Sequence, residues 1–423
     1  MPTLRLHRNT SPLRARRAVL SLISNPLWLL LPVALLAGCT RFQHLQMEHV
    51  YVSARQVYLH DRVAAVSNRT ALVTNGEALE VVEHGKRFVK VRTPKGEVGW
   101  LEDHAIIDDK LYAEFEEQTK KHAHDPVVAN GVLRDDLYLH LLPGRETAHF
   151  LLVAGNTKVQ LLQRGTIAKA PAPGAPPIPK LNTQAASETS AATAPVPIPV
   201  EDWWLVRDGA GHTGWLLANR VDVDVPDEVG QYAEEQRMVA AYPLAKVIDD
   251  GTGRERKKIE KAGKKTGKPV RVDSATTSNA TGDAAIPQTP QEKTEFVTVL
   301  SPPRGGLPYD FDQVRVFTWS LNHHRYETAF RLRGIQGYLP VRISQENVNG
   351  QSEPVFSFEV ATSPNLSVEP ETGVTHPVAP RTLSFRLEGN LIRRTGADQA
   401  PIVAMHDPVE AAKAKAAAKK KKR

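Results

Sequence analysis

Phe88-Val89-Lys90-Val91-Arg92 leads through Lys95-Gly96-Glu97-Val98-Gly99 to Trp100-Leu101, and the arrangement returns as Trp203-Trp204-Leu205-Val206-Arg207 leading through Ala210-Gly211-His212-Thr213-Gly214 to Trp215-Leu216. With Arg92 laid on Arg207, the pairs Gly96/Gly211, Gly99/Gly214, Trp100/Trp215 and Leu101/Leu216 fall in register without a gap. Each copy reads as two strands around a tight turn, opened by an aromatic residue and closed by a Gly-Trp pair. A glycine inside a strand marks a bulge or the close approach of another backbone. The tryptophan beside it can cover one end of a small barrel.

The repetition extends on both sides. Tyr58-Leu59-His60 returns as Tyr138-Leu139-His140, and Leu79-Glu80-Val81-Val82-Glu83-His84-Gly85 as Val159-Gln160-Leu161-Leu162-Gln163-Arg164-Gly165. Five or six short strands in about sixty residues suit a small barrel. Asp108-Asp109, the apolar Leu111, Tyr112 and Phe115, and Lys121 predict an amphipathic helix after the first barrel. Tyr232-Ala233-Glu234-Glu235-Gln236 echoes that helix after the second. The repeated unit is therefore a barrel plus a trailing helix, at 49–122 and 131–242. The second copy is interrupted at 168–200 by a Pro/Ala/Thr/Ser-rich insertion at its hairpin tip, a place where added length costs little.

These hairpins resemble the closing hairpin of bacterial SH3-like domains (the SH3b family), in which W-x-x-V…G-x-x-GW-[VL] recurs. The resemblance implies binding of peptidoglycan peptides or of protein partners. It makes Trp100, Trp203, Trp204 and Trp215 the candidate ligand-binding residues, with barrel core and lids as the competing role for the same side chains. An exposed indole offers a stacking platform for a peptide or a sugar.

The basic charge is not on the folded parts. The chain is formally +7, yet residues 1–38 carry five arginines and no acid, and the tail from Lys413 to Arg423 carries seven basic residues and no acid. The rest is net acidic, so the basic face expected of a specific nucleic-acid binder is not indicated. A basic start and the apolar run from Leu27 to Ala37 predict a secretory signal over 1–38. It ends in Leu36-Ala37-Gly38-Cys39, which is similar to the lipobox of bacterial lipoproteins, L-[AS]-[GA]-C. That resemblance implies a diacylglycerol on the Cys39 sulfur, a membrane as partner through the N-terminal lipid, and, with Thr40 following, the periplasmic face of the outer membrane. Cys39 is the sole cysteine. This removes disulfides and multi-cysteine zinc sites, and it leaves no thiol nucleophile for the cysteine peptidases that often accompany SH3b domains.

Residues 250–294 read as a disordered basic linker and 411–423 as a Lys-rich tail. Between them, 295–405 carry strand patterns at Phe296–Leu300, Gln313–Ser320, Arg325–Leu332, Gly337–Ile343, Pro354–Val360 and Thr382–Leu387, with a turn at Asn322-His323-His324. Val314, Val316, Thr318 and Ser320 alternate with Arg315, Phe317 and Trp319, the pattern of a half-buried strand. The fold class expected is mainly β: two SH3-like barrels, each with a helix, and a C-terminal antiparallel β-sandwich-like domain. No cofactor, metal or catalytic constellation is indicated; His122-Ala123-His124-Asp125 is read as a solvated helix end. The function expected is that of a non-catalytic, lipid-anchored envelope protein binding peptidoglycan or envelope proteins. The alternatives are an envelope enzyme with its site in the C-terminal domain, and a docking subunit of a secretion or assembly complex.

Overall fold

Both copies of the hairpin form where the sequence places them. The computed structural model of the chain describes residues 48–170, 199–250, 290–402 and 404–405. The Leu36–Cys39 motif, the tether after it, residues 171–198 of the insertion, residues 251–289 of the linker and the Lys-rich tail lie outside the described residues.

The first copy consists of β1 (His49–Val52), β2 (Gln56–His60), β3 (Arg69–Thr74), β4 (Ala78–His84), β5 (Phe88–Arg92), β6 (Val98–Glu102) and β7 (Ile106–Asp108). They form an antiparallel sheet in the order β3-β2-β6-β5-β4-β1-β7. Helix α1 (Asp109–Lys121) follows. The second copy consists of β8 (Ala129–Leu133), β9 (Leu137–His140), β10 (His149–Val153), β11 (Lys158–Ala168), β12 (Val200–Arg207), β13 (Thr213–Leu217) and β14 (Val221–Val223). Its order, β10-β9-β13-β12-β11-β8-β14, is that of the first copy shifted by seven. Neither sheet closes by hydrogen bonds; β3 and β7 are the edges of one, β10 and β14 of the other. The sheets coil around alternating inward residues, in the first copy Val50, Val52, Leu59, Val73, Leu79, Val91 and Leu101, each 3 % exposed or less. Burial of each such side chain contributes about 1.5–3 kcal/mol.

Gly99 and Gly214 explain the Gly-Trp pair. A Cβ on Gly99 would lie 2.7 Å from Leu59 Cβ, and one on Gly214 2.6 Å from Leu139 Cβ. The closing strand can cross β2 or β9 at this distance only without a side chain.

Helix α1 joins the copies rigidly. Asp108 caps it by accepting from the Leu111 N–H at 2.8 Å, and Lys120 and Lys121 occupy its last turn. Phe115 is buried against Phe150 of the second copy, and Tyr112 stacks on Tyr51 of the first at 3.7 Å. Asn75 crosses between the copies, with its amide nitrogen donating to Ser53 O and Phe150 O and its oxygen accepting from the Leu152 N–H.

No matching helix follows the second copy, which corrects the sequence reading. After the one-turn α2 (Asp227–Gly230) the chain turns through Glu234 and Glu235, both at positive φ, into β15 (Arg237–Asp249). The physical reason is visible in the echo itself: Glu235 stands where the first helix has Phe115, so no apolar face remains to bury. Glu234 is instead held by Arg315 at 2.9 Å and Arg331 at 3.0 Å.

The C-terminal sheet accordingly begins at Arg237 rather than 295, and β15 carries it past the expected limit of the second copy at 242. It continues with β16 (Gln291–Ser301), β17 (Phe311–Ser320), β18 (Arg325–Val348), β19 (Gln351–Ala361), a small hairpin of β20 (Leu366–Val368) and β21 (Thr375–Pro377), then β22 (Pro380–Glu388) and β23 (Leu391–Thr395). The order β15-β16-β17-β18-β19-β22-β23 is a meander. It curls so that β15 reaches β18 and β19, which packs one sheet on itself in a sandwich-like manner. Two strands expected at 325–332 and 337–343 are one long strand, β18. The alternation in β17 predicted one wet face, yet Arg315 and Phe317 are 1 % and 0 % exposed. The segment around Val229 and Tyr232 covers that face, with Arg315 donating to Tyr232 O at 2.6 Å.

The second copy is fused to this sheet. Val128, Leu161 and Trp204 share one core with Val297, Val316 and Phe356. Arg164, with 5 % of its side chain exposed, crosses the junction and pairs with Asp202 at 3.4 Å and Asp310 at 3.0 Å. It also donates to Leu307 O and Tyr309 O at 2.8 and 2.6 Å. The first copy has His84 at this position.

Candidate functional site

The outer faces of the two Gly-Trp hairpins meet different surroundings. In the second copy, Leu162, Trp203, Leu205 and Trp215 are buried together with Val374 from the turn between β20 and β21. In the first copy, the corresponding Val82 is 43 % exposed, and Phe88, Lys90 and Trp100 are half-buried. Beside Phe88 and Trp100 opens a cavity of about 780 Å³, also bordered by Tyr58, His60, Ser67 and His104.

The wall of this cavity is the loop from Asp61 to Asn68. It is closed at its base by Asp61 N donating to Asn68 O at 3.0 Å, and by the Asn68 backbone and side-chain nitrogens donating to the Asp61 carboxylate at 2.9 and 3.0 Å. These hydrogen bonds hold the Asp61 carboxyl below its ordinary range, the Asn68 N–H first among them. Between those anchors Val63 borders the cavity at 51 % exposure, and Val66 beside it is 82 % exposed. Lys90 lies over the Trp100 ring at 5.7 Å, and His104 pairs with Glu102 at 3.1 Å.

Inside the cavity Ser67 Oγ lies 2.8 Å from His60 Nδ1. The second copy repeats the pair, with Thr147 Oγ1 2.9 Å from His140 Nδ1. The two differ in where the hydroxyl proton can go. Thr147 donates to Leu142 O and Gly144 O at 2.7 Å, so its oxygen receives from the imidazole and the pair locks a turn. Burial, with His149 alongside, pushes the His140 imidazole down to about 4, which keeps it neutral. Ser67 makes no hydrogen bond to a carbonyl among the described residues, so with the His60 ring proton on Nε2 its hydroxyl donates to His60 Nδ1. A hydroxyl that donates to an imidazole is the arrangement of an activated nucleophile with its base.

Of the four candidate tryptophans, only Trp100 borders this open space. Trp203, Trp204 and Trp215 are 2 %, 5 % and 2 % exposed, which corrects their reading as stacking platforms. Val374 covers Trp203 and Trp215, and Trp204 is core between the second copy and the C-terminal sheet. Cys39 lies outside the described residues. His122 pairs with Asp125 at 2.7 Å rather than pointing into solvent, and Arg207 bonds the carbonyl of each. In the C-terminal sheet His324 Nδ1 and Trp319 Nε1 both reach Asp249 Oδ2, at 2.7 and 2.9 Å, a polar latch from the β17–β18 turn to the end of β15. The sequence reading used Tyr58-Leu59-His60 only as a mark of the repeat and missed Ser67; the signal available was a hydroxyl residue seven positions after the histidine in both copies.

No family model and no curated protein matches the chain. Among solved structures, it is similar to an NlpC/P60 family protein from Bacillus cereus ATCC 10987, at 10 % identity and a TM-score of 0.20, over 66 % of this chain and 93 % of that one. It is also similar to NlpC2 and NlpC1 from Trichomonas vaginalis, at 7 % and 9 % identity and a TM-score of 0.14 each, over 68 % of this chain and 93 % and 88 % of theirs. At these TM-scores no residue role, reaction or substrate carries over. The expectation that the chain is non-catalytic is withdrawn against these matches to NlpC/P60 family proteins. Any chemistry has to be sought in this chain's own residues.

Proposed function

We propose that the chain is an enzyme of the bacterial cell envelope, anchored by lipid at Cys39, that cleaves an acyl bond in a peptide-like substrate held in the first copy's cavity. The observation that carries this reading is the Ser67–His60 pair, set in the cavity with its hydroxyl proton uncommitted. The Leu36–Cys39 motif supports the location.

Ser67 Oγ attacks the carbonyl carbon while His60 Nδ1 takes the hydroxyl proton. The same imidazole returns that proton to the leaving amine or alcohol as its bond to carbon breaks. Water, deprotonated by His60, then releases the acyl group from Ser67. General-base assistance of this kind contributes about 10²- to 10⁴-fold in rate. Trp100 and Phe88 supply the apolar wall.

The test is incubation of the full chain with envelope peptides and sacculi, reading new termini by mass spectrometry, beside labelling with a serine-directed fluorophosphonate. Ser67→Ala and His60→Asn are expected to lower release at least 100-fold, and Thr147→Ala to leave it within twofold. Undiminished release from Ser67→Ala, or neither release nor labelling in the unaltered chain, removes the enzymatic reading.

A further inference from the structure

The second copy shows what its outer face accepts, because the chain fills that face itself. Gly165 forms an antiparallel bridge with Val374, and Thr166 N donates to Gly373 O at 3.1 Å. The two backbones touch. A Cβ on Gly165 would lie 2.1 Å from Thr372 O, and one on Gly373, at φ +65°, 2.0 Å from Thr166 O. Only a glycine facing a glycine permits this approach, and it is what lets Val374 drop onto Trp203 and Trp215.

The first copy repeats the receiving side without the occupant. Gly85 stands for Gly165, Phe88 for Trp203, Trp100 for Trp215 and Val82 for Leu162. A Cβ on Gly85 would sit 3.3 Å from Trp100 Cζ3, as one on Gly165 sits 3.2 Å from Trp215 Cζ3, but it would also lie 2.8 Å from Phe88 O of its own hairpin, so the first copy repeats the side chains of the face and not the backbone approach at the glycine. Val82 is 43 % exposed where Leu162 is 2 %, so the face is present and uncovered. One residue differs in kind. Lys90 replaces Leu205, which is fully buried, and so places a cation beside the apolar face.

Resting on the cavity reading above, we propose that the segment taken by the first copy is a protein turn of the same chemistry as residues 371–374. It carries a β-branched apolar residue that sits on Phe88 and Trp100, with acidic residues beside it that share Lys90 with Glu83, its partner at 3.8 Å. Phe88 and Trp100 also border the Ser67 cavity, so the face and the cavity meet at these two side chains.

The probe is a fluorescein-labelled synthetic peptide of residues 366–377, titrated with the full chain and read by anisotropy. One saturable site per chain is expected, since the second copy's face is already occupied. Val82→Glu and Phe88→Ala should each weaken binding at least tenfold at a temperature where the unfolding curve shows the variant still folded, as should replacement of the peptide's Val374 by aspartate. Absence of saturable binding, or binding that ignores Val82→Glu and Phe88→Ala together, overturns the proposal. The readout is affinity and not turnover. A chain that binds through Val82 and Phe88 and cleaves nothing keeps this inference and loses the enzymatic one, and a chain that cleaves envelope peptides but ignores this peptide does the reverse.

Discussion

The two copies have the same strand order, the same Gly-Trp closure and the same histidine–hydroxyl pair, yet one set of residues at which they differ lies on surfaces that the second copy has covered and the first has not. Leu162, Arg164, Trp203 and Leu205 of the second copy stand opposite Val82, His84, Phe88 and Lys90 of the first. The covered copy carries the larger and more apolar residues, and one buried cation locked to the neighbouring sheet. The uncovered copy carries smaller or charged residues that tolerate water. The difference teaches that the repeat is a shared frame whose outer face has been assigned twice, once to structure and once to solvent.

The largest test of that comparison is at the junction. Arg164→Met leaves Asp202 and Asp310 without their cation in a buried setting and is expected to cost about 3–5 kcal/mol in chemical denaturation. His84→Ala, at the same place in the first copy, should stay within about 0.5 kcal/mol. Equal costs would break the comparison. The tryptophans sharpen it. Trp215→Ala empties a filled cluster and is expected to cost about 3–5 kcal/mol, against about 1–2 kcal/mol for the half-buried Trp100→Ala. The smallest effect is on acid stability. His140 takes up its proton at about 4 when folded and at its ordinary value of about 6.5 when unfolded. The stability it contributes is therefore complete above pH 6.5 and lost as pH falls towards 4. Because the ring is only partly buried, the loss is of order 1–2 kcal/mol, and His140→Gln should flatten the unfolding free energy over that interval. An unchanged slope would show that the second pair does not serve as a buried lock.

Much of the frame was legible in the sequence because a duplication supplies its own alignment. The hairpins, the Gly-Trp closures and the position of the long insertion follow from comparing one copy with the other, and helix α1 from its own apolar spacing and charged ends. The failures fall where the copies stop being alike. Tyr232–Gln236 kept enough of the helix's lettering to suggest a helix, but the loss of Phe115's counterpart removed the face that makes one fold. Arg315 and Phe317 looked like the wet side of β17 because the segment that covers them, around Val229 and Tyr232, is one helical turn and the loop after it, too short to show a period. The burial of Trp203 and Trp215 depends on Val374, more than 150 residues further along, a contact that no local pattern announces. The candidate site was half legible: His60 stood out by repetition, while Ser67 sits in a loop whose only regularity is its distance from that histidine.

The first and last strands of each copy lie side by side, β1 against β7 and β8 against β14. A unit whose chain enters and leaves at one edge is a cassette. It can be copied in tandem by a single genetic event, with no rerouting of the backbone, and its ends already meet the linker that follows. A third copy spliced after residue 122 would need only another such linker to take its place in the row, so this chain has a ready means of growing longer one whole unit at a time.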